Sequence, residues 1–106
     1  MGLFNFSRGP NINQGVKTFQ ETPGAVLLDV RTLQEYQKCH IPGSQNVPLQ
    51  LLDTENAVTA PKDTPLFVYC HSGARSGQAV RILAQKGYFN VKNIGGIAAY
   101  TGKVES

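Results

Sequence analysis

The run Cys70-His71-Ser72-Gly73-Ala74-Arg75-Ser76 places a thiol, a hydroxyl-bearing loop and a guanidinium within a few positions of each other. The chemistry this allows is nucleophilic attack by sulfur, for which the thiolate is the reactive form. A short Gly-containing loop that closes into a helix turns several backbone N–H groups inward, and such a nest binds anions. The helix N-terminus adds partial positive charge and Arg75 a full one. Moving a thiol from a pKa of about 8.5 to about 6.5 corresponds to roughly 2.7 kcal/mol and leaves most of it ionised at neutral pH. The gain in rate is smaller, because a less basic thiolate is a poorer nucleophile. The larger use of the cradle is to hold an anionic sulfur intermediate or substrate. The same chemistry needs a sulfur that reagents can reach and amides that turn toward it.

Two other groups compete for attention. Cys39-His40 sets a thiol beside an imidazole, and Asp29-Val30-Arg31 sets a carboxylate near a guanidinium. A helix over residues 32–38 must carry the chain back across the sheet before the next parallel strand, which puts Cys39 and His40 on the edge away from Cys70. His40 therefore reads as structural, and Cys39 as a resolving thiol is the lesser alternative. Asp29 and Arg31 fall at the carboxyl end of a strand, where buried charges need partners. They either brace the region of Cys70 or form a pair that only fixes the fold.

The elements that position these residues follow from the apolar pattern. Residues 66–70, Leu-Phe-Val-Tyr-Cys, are a short continuous apolar run and read as a buried strand. Ala79, Val80, Leu83 and Ala84 recur at helical spacing, predicting a helix from Ser76 to Lys86-Gly87. Cys70 thus sits at the carboxyl end of a strand and faces a helix start, the crevice where open α/β sheets bind ligands. Residues 25–30 and 45–47 read as further strands, and residues 88–93 lead into an edge strand. Asn11 or Asn13 caps a helix that turns Val16 and Phe19 inward. Thr32 with Glu35 forms a capping box that opens the 32–38 helix, with Leu33 and Tyr36 toward the core. Leu49–Leu52 is a helical turn, Gly95-Gly96 permits a tight turn near the thiol loop, and a short helix starts at Ile97. The expectation is an α/β fold with a small parallel sheet of about five strands and helices on both faces.

The chain has 106 residues, 41% hydrophobic and 16% charged, which is ordinary for one globular domain. Residues 1–10 lack periodicity and read as a flexible N-terminal segment, with docking by Leu3, Phe4 and Phe6 as the alternative. Residues 11–106 form the single domain. A net charge of +3 without a Lys/Arg cluster argues against nucleic acid and suits small anions. No signal peptide or run of transmembrane length is visible, so the expectation is a cytoplasmic protein without membrane contact. Two cysteines do not make a disulfide scaffold. No metal or organic cofactor is implied. Residues 53–64 hold no ligand cluster, and Gly95-Gly96 lacks the rest of a dinucleotide fingerprint.

The run Cys70–Ser76 resembles the active-site loop of the rhodanese-like sulfurtransferases. Two further stretches are similar to that family in order and spacing: residues 27–43, with Asp29, Arg31, Glu35, His40, Pro42 and Gly43, and residues 93–100, with Gly95 and Gly96. The likeness covers roughly residues 11–102. It implies a single-domain thiosulfate sulfurtransferase of rhodanese type, with Cys70 as the nucleophile. His71, Ser72, Gly73, Ala74, Arg75 and Ser76 would be the substrate-binding cradle, and Asp29 and Arg31 would support it from behind. Arg75 would attract the anionic donor unless it turns away to pair with Asp29. Ser76 would bond the sulfur and cap the helix, and His71 would line the pocket. The resemblance also implies a structural His40. Cys39 stands where relatives usually have glycine, and Tyr100, an aromatic of the pocket wall, where they usually have tryptophan.

The implied activity moves a sulfane sulfur from a small anionic donor such as thiosulfate to cyanide or a thiol, through a Cys70 persulfide. One alternative is a sulfur-carrier or regulatory module that acts on a protein partner. Another is a cysteine-dependent phosphatase or arsenate reductase, but those place five residues between cysteine and arginine, and here four intervene.

Overall fold

The computed structural model describes residues 9–106. The chain-order elements are α1 (Ile12–Glu21), β1 (Val26–Asp29), α2 (Leu33–Lys38), β2 (Ser44–Asn46), β3 (Leu66–Cys70), α3 (Ala74–Gln85) and β4 (Val91–Gly96), with 3-10 turns at Leu49–Leu51 and Ile97–Ala99. The sheet is parallel throughout and runs β2-β1-β3-β4. Among the described residues it therefore has four strands where about five were expected. One further pairing, between His40 and Glu105, is an isolated antiparallel bridge outside those strands. The expectations for Leu3, Phe4 and Phe6 lie outside the described residues; Gly9 and Pro10 are exposed.

Side chains alternate along β3 and divide the core into two layers. Leu66, Val68 and Cys70 face α3, with Ala79 and Leu83. Phe67 and Tyr69 face α1, with Ile12 and Val16. Helices thus cover both faces, as parallel sheets require. The chain leaves β1 toward β2 on one side and returns to β3 on the other. The order of strands reverses between β1 and β3, and the carboxyl ends of both meet there: Asp29 pairs with Tyr69, and Val30 N–H donates to the Tyr69 carbonyl at 3.0 Å. Cys70 is the next residue, at the switch point where α/β sheets place ligands.

Capping sets the helix starts. Asn11 Oδ1 accepts from the amides of Asn13 and Gln14, at 3.1 and 3.3 Å. The capping box of α2 forms in full. Leu33, however, is 50% exposed: a helix of six residues has too few turns to bury a face, and α2 buries none of its residues. Tyr36 is half-buried, stacks on His40 at 3.8 Å and donates its hydroxyl to the Ser44 carbonyl at 2.7 Å. The helix after the thiol loop begins two residues earlier than expected, at Ala74, so Ser76 lies in its first turn rather than at its cap. Gly73 takes the cap position with φ +103, a left-handed conformation that favours glycine.

Candidate active site

Cys70 ends β3 and its side chain lies under the start of α3. Gly73 N–H donates to Cys70 Sγ at 3.0 Å, and the Ser76 hydroxyl lies 3.4 Å from the same sulfur. The left-handed turn at Gly73 aims its amide back at the strand end. Burial pushes the thiol up, but hydrogen bonds from the Ser76 side chain and from the amides of Ser76, Gly73 and Ser72 outweigh it. The net shift is below the ordinary value, so the anion is favoured.

The sulfur is more enclosed than a crevice residue was expected to be. Cys70 is 1% exposed, while His71, Ser72 and Ala74 above it are exposed. One layer of loop thus separates the sulfur from solvent, because the amides that hold it also roof it. Beside the loop lies a cleft of about 640 Å³, bounded by His71, Ser72 and Gly73 on one side and by Asn11, Asn13 and Ala98 on the other. Neither Cys70 nor Arg75 lines it. Tyr100 does not line it either and packs beside the apolar layer of Ile12 and Phe67.

The loop is held on its β4 side by a close approach. A Cβ on Gly96 would collide with the His71 carbonyl, so no larger residue fits there without moving the loop. The His71 carbonyl also accepts from Ala98 N–H at 3.1 Å. Asn93, a polar strand residue with no motif of its own to mark it, reaches the loop from β4. Its Nδ2 donates to the Gly73 carbonyl at 3.1 Å, and its Oδ1 accepts from Ser76 Oγ at 2.8 Å. Its place two residues before Gly95-Gly96 was the one signal that could have drawn attention to it.

The charged residues are sorted differently from the expectation. Arg75 pairs with Glu35, not with Asp29, through two bonds of 2.8 and 2.9 Å. Glu35 is held down to about 2 by the Arg75 bond first, against the opposing effect of burial, and by the Thr32 amide. Asp29 is fully buried and pairs with Arg31: Nε at 3.0 Å, Nη2 at 2.7 Å, and the Arg31 amide at 2.9 Å. Arg31 Nη2 also donates to the Cys39 carbonyl at 2.7 Å. Burial works against the Arg31 charge, but the Asp29 hydrogen bond and charge raise its pKa overall. Among the described residues, no hydrogen bond joins this pair to the thiol loop.

Cys39 and His40 follow α2, and neither takes part in the hydrogen bonds around Cys70. His40 Nδ1 lies 2.8 Å from the Tyr36 carbonyl, which can only accept, so the proton is on Nδ1. Its Nε2 lies 3.5 Å from Glu105. Among the described residues, no group of three His, Cys, Asp or Glu side chains could hold a metal ion, and no helix is long and apolar enough to cross a membrane.

Comparison with known proteins gives a consistent result. The profile of the Rhodanese-like domain matches residues 13–103. Thiosulfate sulfurtransferase PspE of Escherichia coli K12 is 41% identical over 71 residues, covering 66% of this chain and 68% of that protein. The putative sulfur carrier protein YrkF of Bacillus subtilis is 38% identical over 80 residues, 74% of this chain but 43% of that protein. Among solved structures, a rhodanese with anions from E. coli superposes with a TM-score of 0.69 at 34% identity, over 76% of this chain and 96% of the other.

Proposed function

This chain belongs to the rhodanese-like domain family, and from that membership we propose that it is a thiosulfate sulfurtransferase working through a Cys70 persulfide. The observation that carries the reading is the convergence of Gly73 N–H and the Ser76 hydroxyl on Cys70 Sγ at a sheet switch point. Cys70 is 1% exposed, so the loop over it must part to admit the donor; the Cys70 thiolate then attacks the outer sulfur of thiosulfate. The S–S bond of the donor breaks, and sulfite leaves with its electron pair. A nucleophilic acceptor, cyanide or a thiol, then attacks the outer sulfur of the persulfide, and Cys70 leaves as thiolate. The amides of Ser72, Gly73 and Ser76 stabilise that leaving group, so the loop lowers the barrier of the second step as well as holding the first nucleophile.

Arg75 acts at a distance in this reading, because Glu35 already occupies both arms of its guanidinium. The same pairing counts against a phosphatase, which needs a free arginine fork for its oxyanion. Asp29 and Arg31 serve as a buried brace between β1 and the end of α2 rather than as part of the cradle. The likeness to YrkF favours a second reading, in which the outer sulfur goes to a protein acceptor by the same steps.

The test is turnover with thiosulfate and cyanide. Thiocyanate and sulfite should form in equal amounts, and Cys70→Ser should abolish both. Absence of product with thiosulfate and with other sulfane donors contradicts the proposal. Sulfur loading on Cys70 without transfer to small-molecule thiols selects the carrier reading.

A further inference from the structure

The Ser76 hydroxyl has one proton and three acceptors in reach: Asn93 Oδ1 at 2.8 Å, the Gly73 carbonyl at 3.1 Å and Cys70 Sγ at 3.4 Å. The Gly73 carbonyl is already filled. It accepts from Gly77 N–H at 3.0 Å and from Asn93 Nδ2 at 3.1 Å, which matches its two lone pairs. The proton therefore goes either to Asn93 or to the sulfur. Nor can the Asn93 amide be reversed. Its Oδ1 takes Gly95 N–H at 2.9 Å, and its Nδ2 faces a carbonyl, so donor and acceptor chemistry fix the orientation. An irregularity in β4 sets this geometry: Asn93 lies opposite Val68 and Gly95 opposite Tyr69, with Ile94 as the extra residue and Gly95 at φ +107. Bulges beside active sites re-aim side chains in this way.

We propose that Asn93 is a positioning residue for sulfur transfer that acts through Ser76, holding the hydroxyl proton while Cys70 Sγ is uncharged and yielding it when the sulfur is anionic. The proposal rests on the sulfurtransferase reading only for when that charge comes and goes. With Cys70 as thiol, S–H points at Ser76 Oγ, and Ser76 O–H points at Asn93. When the thiol proton leaves to solvent, the hydroxyl rotates to the sulfur, since a hydrogen bond to an anion is the stronger one. Persulfide formation moves the negative charge to the outer sulfur, Sγ becomes neutral, and the hydroxyl returns to Asn93. Departure of the outer sulfur restores the thiolate and brings the hydroxyl back. Ser76 keeps an acceptor at every stage, so no buried hydroxyl is left unpaired.

The experiment measures the Cys70 thiol pKa from the pH dependence of alkylation by iodoacetamide, read at the Cys70 peptide. The quantity of interest is the rise in pKa caused by Ser76→Ala with Asn93 present, in Asn93→Ala and in Asn93→Asp. The expected rise is about one unit with Asn93 present. It should be largest in Asn93→Ala, where nothing competes for the proton, and smallest in Asn93→Asp, where a carboxylate keeps it. The titratable or charged side chains on the elements around Cys70 are Asp29 on β1, Tyr69 on β3, Arg75 and Arg81 on α3 and Lys92 on β4, with Arg31, Glu35, His71 and Tyr88 beside them, and the substitutions leave all of them in place. The direct effect of the new Asp charge cancels, because residue 93 is constant within each comparison. Equal rises in all backgrounds would mean that Asn93 only braces the loop, and a reversed order would mean that it aims the hydroxyl at the sulfur; either overturns the proposal. Should Asn93→Ala not fold, the near-isosteric Asn93→Asp compared with Asn93 decides alone. Alkylation reads the thiol whether or not thiosulfate is turned over, so failure of the activity and failure of this proposal remain separate results.

Discussion

Arg75 Nη1 and Nη2 donate to Glu35 Oε1 and Oε2 at 2.8 and 2.9 Å, so the cation nearest the thiol loop is already half of an ion pair that ties α3 to α2. Glu35 does two tasks, since Oε1 also accepts from Thr32 N–H in the capping box of α2.

Glu35→Gln separates those tasks, because Gln can still close the capping box but carries no charge. Glu35 lies near 2 in the fold against an ordinary 4.5. A depressed carboxylate adds stability that is full above its unfolded value and is lost as pH falls through the folded one. Urea unfolding should therefore show wild-type stability declining between pH 4.5 and about 2, with that component missing in Glu35→Gln. The pair is about one-third exposed, so the loss at neutral pH should be about 0.2–1 kcal/mol. Release of Arg75 should also lower the KM for thiosulfate about two- to threefold at low salt, an effect that high salt removes.

Gly73→Ala tests the cradle itself. The added Cβ meets only ordinary contacts, with Gly95 Cα at 3.6 Å, but φ +103 is strained for any other residue. The expected cost is about 1–3 kcal/mol, seen as a lower Tm. If the turn relaxes, the Gly73 amide leaves the sulfur. The thiol pKa should then rise, and the rate of sulfur transfer should fall on the order of tenfold to a hundredfold.

The buried pair of Asp29 and Arg31 should behave as scaffold. Asp29→Ala leaves a buried guanidinium without its carboxylate, which costs about 3–5 kcal/mol in thermal or urea unfolding. In the fraction that remains folded, the Cys70 alkylation profile should be unchanged, since no bond joins this pair to the loop.

Legibility in the sequence followed the range of each interaction. β3 was readable because five apolar residues lie in sequence, and the caps at Asn11 and Thr32 because each acts within three residues. The start of α3 was misplaced because Gly73 caps through backbone conformation and offers no side chain to notice. The expectation for Arg75, the anionic donor with Asp29 as the exception, does not include Glu35, because that partner is 40 residues away, across a helix start whose position no local pattern reveals. Asn93 escaped notice for a similar reason: it reads as an ordinary polar strand residue until the slip of β4 turns it toward the loop. The roofing of Cys70 was also hidden, since inward amides imply a cradle without saying how far it closes.

The most direct measurement is single-turnover sulfur loading. The protein is mixed with thiosulfate without an acceptor, its intact mass is recorded, and the site is located by peptide mapping in wild type, Cys39→Ser and Cys70→Ser. The account predicts one added sulfur atom on Cys70, retained in Cys39→Ser, absent in Cys70→Ser and discharged by cyanide as thiocyanate. An unloaded Cys70 under conditions where iodoacetamide alkylates it, or a sulfur found on Cys39 instead, would contradict it.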